Sequence, residues 1–352
     1  MSQHVPIAFC FDNGYWMCFG VAITSLLFNS SETHYDIYCI SDIAIDKQEA
    51  LIHMVSALDK DSKMTFIKPN NDFDESIGSA SYYYRLMLPK LLPHLDSVIY
   101  ADCDMIFCES LLNVWNESQS VLNEIAVSGG GNGNSVLLFA VADIVVALKQ
   151  VVGKRADFVE RELDGDYLSY INSGFLIMNL KGIREEDGLY NKMVERSKDN
   201  SAFELWDQGV LNICCKGRIY RLHIRYNFFI NSFKNNLPSE IPQDEKGILK
   251  QAIQAIDNPV TLHYVGKDKP WNYLCFNNNC NWFYNNCFNI WWTFAQKTPF
   301  YHILWGELMR NMIEYKTAKY YPKFLVKMLC LFIPKKEKRK YIRMKYVKKQ
   351  HE

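Results

Sequence analysis

Apolar residues are grouped along this chain in short uninterrupted runs separated by polar turns. Residues 5–11 and Ser97–Ala101 carry the near-continuous hydrophobicity of strands buried on both faces. Trp16–Phe28 is uncharged over 13 residues, too long for an ordinary strand. It predicts a buried helix after a turn at Asp12-Asn13-Gly14. Residues 36–40 and 64–67 predict a second and a third strand. Between them, residues 46–58 place Leu51, Ile52, Val55 and Leu58 on one face at helical spacing. Residues 125–127, 174–180 and 260–264 predict further strands and 202–215 a helix, and Met105–Phe107 is another apolar stretch. Strands alternating with helices predict an α/β fold on a mainly parallel sheet. Ligands then bind at the carboxyl ends of the strands. Asp12 falls at one such end and Asp102 and Asp104 at another, so the three should share a crevice.

Composition adds a size and a charge asymmetry. With 352 residues and 49% hydrophobic content, the chain can bury a full core, and global disorder is excluded. The net charge of zero hides a basic end. From Arg310 onward there are 14 Lys and Arg against 3 Asp and Glu, so the preceding body is acidic. The 11 cysteines are odd in number and irregularly spaced, which fits reduced thiols packed as small hydrophobes. Cys275, Cys280 and Cys287 have spacings that match no common zinc pattern. No Lys or Arg precedes the 16–28 run and Asp12 stands in its approach, which argues against a signal segment. No uninterrupted apolar run approaches the roughly 20 residues that span a bilayer. The glycine-rich stretch 129–133 lacks the Lys-Ser/Thr ending of a phosphate-binding loop and reads as a flexible connection.

Asp102-Cys103-Asp104 carries the clearest chemistry. Two carboxylates at a strand end are costly to bury unless paired or bound to a metal. Residues two apart on extended backbone share a side, so both can face one cation. Hard oxygen ligands suit Mg²⁺ or Mn²⁺ holding a diphosphate. In isolation Asp-x-Asp is more often a solvated turn, so the surrounding motifs decide. These are Asp12-Asn13-Gly14-Tyr15 after the first strand, Tyr84-Arg85-Leu86 before the aspartates, and Asn172-Ser173-Gly174 opening a strand. Asp207-Gln208-Gly209-Val210-Leu211-Asn212 follows, and then His263-Tyr264-Val265-Gly266 with Lys269-Pro270-Trp271.

In order and spacing this set resembles glycosyltransferase family 8 over about residues 5–275. Its bacterial lipopolysaccharide galactosyl- and glucosyltransferases are the nearest likeness. The resemblance implies a GT-A type catalytic domain over 1–275, a single Rossmann-like domain with a mixed, mainly parallel sheet, and composition sets apart a connecting segment over 276–309 and a helical basic tail over 310–352. It implies Asp102, Asp104 and His263 as ligands of Mn²⁺ (or Mg²⁺). It assigns the nucleotide of a UDP-sugar donor to Asp12 and Tyr15. Arg85 would hold the donor sugar or phosphates, Asn172 and Asp207 the sugar hydroxyls, and Gly266 and Lys269 the diphosphate. Gln208 would lie beneath the anomeric carbon. Since an amide is a poor nucleophile, the implied route is front-face substitution with retention, the leaving diphosphate taking the acceptor proton. Two departures are visible. Gly14 stands where the family usually has Asn, and the region after 125–127 offers Ser128 and glycines where an acid or amide usually reads the sugar.

The tail combines Phe324, Leu325, Met328, Leu329, Leu331 and Phe332 with Lys323, Lys327 and a cluster at 335–340. It suits an anionic membrane surface, lying on it rather than crossing it. The expected location is therefore cytoplasmic, on the inner face of a bacterial plasma membrane. The acceptor would be a saccharide, lipid-linked and part of lipopolysaccharide core. A solvated tail is the alternative, and no fold for nucleic-acid recognition is visible upstream. Competing readings are transfer to another surface glycan or to protein, a non-catalytic nucleotide-sugar binding module, and a membrane-surface scaffold.

Overall fold

The computed structural model describes residues 3–69, 80–128, 135–198, 206–233, 246–267, 269–272 and 282–319. Within these residues, ten strands are β1 (Gln3–Cys10), β2 (Thr33–Ile40), β3 (Lys63–Ile67), β4 (Ser97–Ala101), β5 (Met105–Phe107), β6 (Leu138–Ala142), β7 (Ile171–Asn179), β8 (Ile219–Leu222), β9 (Phe228–Phe229) and β10 (Thr261–His263). Seven form one sheet in the order β3-β2-β1-β4-β7-β6-β8, and three form a smaller sheet in the order β5-β10-β9. In the larger sheet β7 runs antiparallel to both β4 and β6, and the other pairings are parallel. The mainly parallel sheet predicted from the alternation of runs is present, and the antiparallel β7 gives it the mixed character that the resemblance implies.

The helix Trp16–Phe28 covers one side of the larger sheet and is buried on almost every face. Its hydroxyls are satisfied locally. Thr24 donates to the Gly20 carbonyl at 2.7 Å and Ser25 to that of Ala22 at 2.6 Å. Ser25 also accepts the Phe107 N–H at 2.9 Å, and Asn29 donates to the Phe107 carbonyl at 2.8 Å. These bonds fasten β5, and with it the chain just after Asp104, to the first helix. On its outer side this helix packs against Trp282–Ala295, whose Trp291 is fully buried. The Asn- and aromatic-rich stretch thus contributes to the core at about 1.5–3 kcal/mol per fully buried large apolar side chain. The last described helix is Tyr301–Lys319, and the tail beyond it lies outside the described residues.

One expected element is corrected. Residues 125–127 are the final turn of a helix, Leu112–Val127, and Val127 is 88% exposed. Three apolar residues cannot distinguish a strand from the end of an amphipathic helix. The strand bordering β7 is instead β6, and it ends directly in Asp143. An acidic residue therefore does follow the strand that borders β7. Of the 202–215 helix, Trp206–Cys214 is described.

Candidate active site

The site is built where the chain passes from one sheet to the other. β4 ends at Ala101, paired with Phe175 of β7, and the Asp102 N–H still donates to the Gly174 carbonyl at 2.8 Å. After Asp104 the chain enters β5, where Met105 lies opposite His263 of β10. Asp102-Cys103-Asp104 is thus the corner between the sheets. It lies beside Asn172-Ser173-Gly174 on one side and His263 on the other. Gly174 is required there, because a Cβ would sit 2.4 Å from His263 Cε1 and 2.9 Å from Asp102 Oδ2.

His263 Nε2 lies 3.1 Å from Asp104 Oδ1 and 3.8 Å from Asp102 Oδ2. Its Nδ1 bonds Asn227 Oδ1 at 2.7 Å, and Asn227 Nδ2 donates to Asn172 Oδ1 at 2.8 Å. This arrangement makes Nδ1 a protonated nitrogen and turns Nε2 toward the carboxylates. Ligand atoms of Asp102, Asp104 and His263 all lie within 4.8 Å of one another. Two carboxylates and one imidazole fit a divalent cation of the Mn²⁺ type.

Fixed charge surrounds this cluster. Arg85 is 6% exposed and bridges two carboxylates, at 3.0 Å from Asp102 Oδ1 and 3.1 Å from Asp207 Oδ2. It also donates to the Ser173 carbonyl at 2.8 Å and stacks over the Tyr100 ring at 4.5 Å. Burial pulls the guanidinium pKa down, but Asp102 and Asp207 outweigh it, and Arg85 stays charged. Burial raises the Asp207 carboxyl against the opposing pull of Arg85. For Asp104 the balance reverses. Burial raises it, yet the Lys269 ammonium and His263 together hold it well below the usual carboxylate range. Lys269 donates both to Asp104 and to the Tyr264 carbonyl, so it is anchored against the corner between the sheets.

Gln208 sits on the helix Trp206–Cys214, which Asn212 ties to β7 by reciprocal bonds with Ile171 at 2.9 and 3.0 Å. Its amide orientation is fully determined. Oε1 accepts from Asn172 Nδ2 at 2.8 Å and from the Ser173 N–H at 3.2 Å, while Nε2 donates to Tyr170 Oη at 2.8 Å. Asp143 is buried beside it, capping Ile144–Ala147 and lying 3.9 Å from Arg155. Trp206 heads the helix with φ +55°, a left-handed backbone costing a bulky residue about 1–3 kcal/mol.

A cavity of about 790 Å³ joins these groups. Asp12, Tyr15, Arg85, Asp102, Asp104, Asn172, Asp207, Gln208, His263 and Gly266 all line it. Lys269 is not part of the wall. At the far end, Asp12 Oδ1 accepts the Gly14 N–H at 2.8 Å, so this aspartate also closes its own turn. Asn13 accepts from Lys47, and Tyr15 meets Trp271 edge to face. Gly266 has φ +86°, a conformation glycine adopts without strain. Tyr170, Asp143 and Asn227 were not singled out by sequence reasoning. An apolar run ending in an acid marked Asp143, whereas nothing local marks Asn227.

A family model described as glycosyl transferase family 8 matches residues 6–275. The lipopolysaccharide 1,2-glucosyltransferase of Escherichia coli K12 is 27% identical over 286 residues, covering 77% of this chain and 74% of that protein. General stress protein A of Bacillus subtilis is 25% identical over 283 residues, covering 77% and 88%. Among solved structures, galactosyltransferase LgtC with donor and acceptor sugar analogues superposes with a TM-score of 0.58 at 21% identity, covering 82% of this chain and 95% of that one. The bifunctional glycosyltransferase WbbM superposes at 0.67 and 19% identity, and this chain spans about half of that longer one (88% and 52%). With the motifs in one cavity and a family model spanning most of its length, the chain belongs to glycosyltransferase family 8.

Proposed function

We propose that this protein is a metal-dependent, retaining hexosyltransferase that moves glucose or galactose from a UDP-sugar to a saccharide of the lipopolysaccharide core. One observation carries the reading: the Asp102, Asp104 and His263 cluster opens into the same cavity as the Arg85–Asp207 pair and Gln208. Lipopolysaccharide glucosyltransferases among the relatives support the acceptor class. A divalent cation bound at the corner would neutralise diphosphate charge.

The chain's own residues do the remaining work. Asp12 and Tyr15 hold the base, and Arg85 presents a permanent positive charge at the sugar end. Asp207, oriented by Arg85, accepts hydroxyl hydrogen bonds. Gln208 is held on both ends of its amide, so it positions charge without attacking. Lys269, once it exchanges Asp104 for phosphate, stabilises the departing diphosphate. The basic segment 310–352 would attach the enzyme to the inner face of the plasma membrane, bringing it to a lipid-linked acceptor. In the described residues no helix is long and apolar enough to cross a membrane.

The test is UDP release from a panel of UDP-sugars with Mn²⁺ and then with chelator. Metal-dependent turnover of one sugar, lost in Asp104→Ala, is expected. Absence of both turnover and UDP binding would overturn the reading. A glycosyl-enzyme adduct trapped on wild-type Gln208 would refute its positioning role.

A further inference from the structure

Two aromatic rings at the cavity wall have no part in the chemistry assigned so far. Tyr82 and Trp206 meet edge to face, with centroids 4.2 Å apart and planes at 85°. Both line the cavity that holds Arg85, Asp207 and Gln208. Tyr82 is 43% exposed, and Trp206 is only partly buried. They therefore offer apolar area to the cavity rather than to the core. Rings at right angles make a corner, with a flat apolar surface on one wall and a polar-tipped ring on the other.

The backbone gives the second, independent observation. Trp206 has φ +55°, which bulky residues rarely adopt, and it is immediately followed by Asp207 and Gln208. Strain of this kind persists where the surroundings enforce it and clusters at ligand sites. Here the left-handed turn puts the indole against Tyr82 while the next two residues point to the sugar end of the site.

A pyranose is amphipathic. Its axial C–H groups make one face apolar, and its equatorial hydroxyls need polar partners at the edge. Aromatic side chains bind such a face because they give up large apolar area at little conformational cost. We infer that Tyr82 and Trp206 form the platform for the acceptor sugar, stacking on the C–H face of a pyranose next to the donor position. The inference rests on the hexosyltransferase reading and deepens it. It makes the acceptor class a pyranose with an uninterrupted C–H face, and excludes a peptide hydroxyl as the group this corner selects.

Saturation-transfer difference NMR on the full chain tests this, with methyl β-D-glucopyranoside and methyl β-D-galactopyranoside as probes in the presence of diamagnetic Mg²⁺ and UDP. Saturation should concentrate on the C–H protons of one face. It should fall at least fivefold in Tyr82→Ala and in Trp206→Gly, the glycine being suited to the left-handed backbone so that loss of the ring does not bring loss of the fold. UDP affinity, measured by calorimetry on the same samples, separates the two ideas. UDP binding to the wild type, with saccharide saturation even around the ring or undiminished in both variants, overturns the platform alone. A rise in the UDP dissociation constant that accounts for the whole loss also overturns it, and moves the rings to the donor. No UDP binding by the wild type overturns the hexosyltransferase reading and the platform with it.

Discussion

Gly174→Ala is the most demanding test of the corner between the two sheets. The added methyl would lie 2.4 Å from His263 Cε1 and 2.9 Å from both Asn172 Oδ1 and Asp102 Oδ2. Ordinary contact begins near 3.4 Å, so the imidazole must retreat by about 1 Å. β7 cannot give way easily, since the Gly174 carbonyl holds Asp102 and Phe175 pairs with Ala101. The imidazole is held from behind by Asn227 at 2.7 Å. Overpacking of this kind costs about 1–3 kcal/mol. Moving a positioning group by about 1 Å costs on the order of 100-fold in rate. The variant should therefore fold, lose about 1–3 kcal/mol in a urea melt, and bind Mn²⁺ at least about tenfold more weakly by calorimetry. Its UDP release should fall by roughly 100-fold. A folded variant with wild-type Mn²⁺ affinity and turnover would refute the packing argument.

Two further outcomes are expected. Arg85→Met removes the cation between Asp102 and Asp207, leaving two carboxylates uncompensated. Breaking a buried pair from one side costs about 3–5 kcal/mol, and the 25% exposure of the Asp102 side chain places the loss near the lower end. A shift in the urea midpoint equivalent to under about 1 kcal/mol would show that water replaces the guanidinium. Asp143→Asn tests a pH dependence. Burial raises the Asp143 carboxyl against the opposing pull of Arg155 and the N–H groups of Val146 and Val145. The folded chain thus holds this proton more tightly than the unfolded one. Its stabilising contribution is complete below the unfolded value of about 3.9 and is lost as pH rises through the folded value. Asn keeps a capping oxygen but does not titrate. Wild-type stability should therefore fall relative to the variant as pH rises from about 4 towards 7. A difference between the two that does not change with pH would refute the assignment.

The sequence by itself determined which segments are buried and where polar chemistry interrupts them. Runs such as Ser97–Ala101 and Trp16–Phe28 became a strand and a helix because their hydrophobicity leaves no solvated face. The ends of those runs carried Asp12, Asp102 and Asp104, and all three line one cavity. Family motifs added Arg85, Asn172, Asp207, Gln208, His263 and Gly266 to the same walls, whereas Lys269, expected at the diphosphate, is held against Asp104 instead. Local pattern could not tell a strand from a helix end at 125–127, because three residues do not span a period. Nor could it name partners. Asn227 matters because β9 and β10 pair in parallel and bring it behind His263, 36 residues away in sequence. Tyr170 matters because β7 and the helix Trp206–Cys214 meet where its hydroxyl accepts from Gln208. Hydrophobic periodicity records how far each residue is removed from water. Which tautomer an imidazole holds, which way an amide points and which carboxylate stays charged depend on neighbours that only the assembled sheets supply.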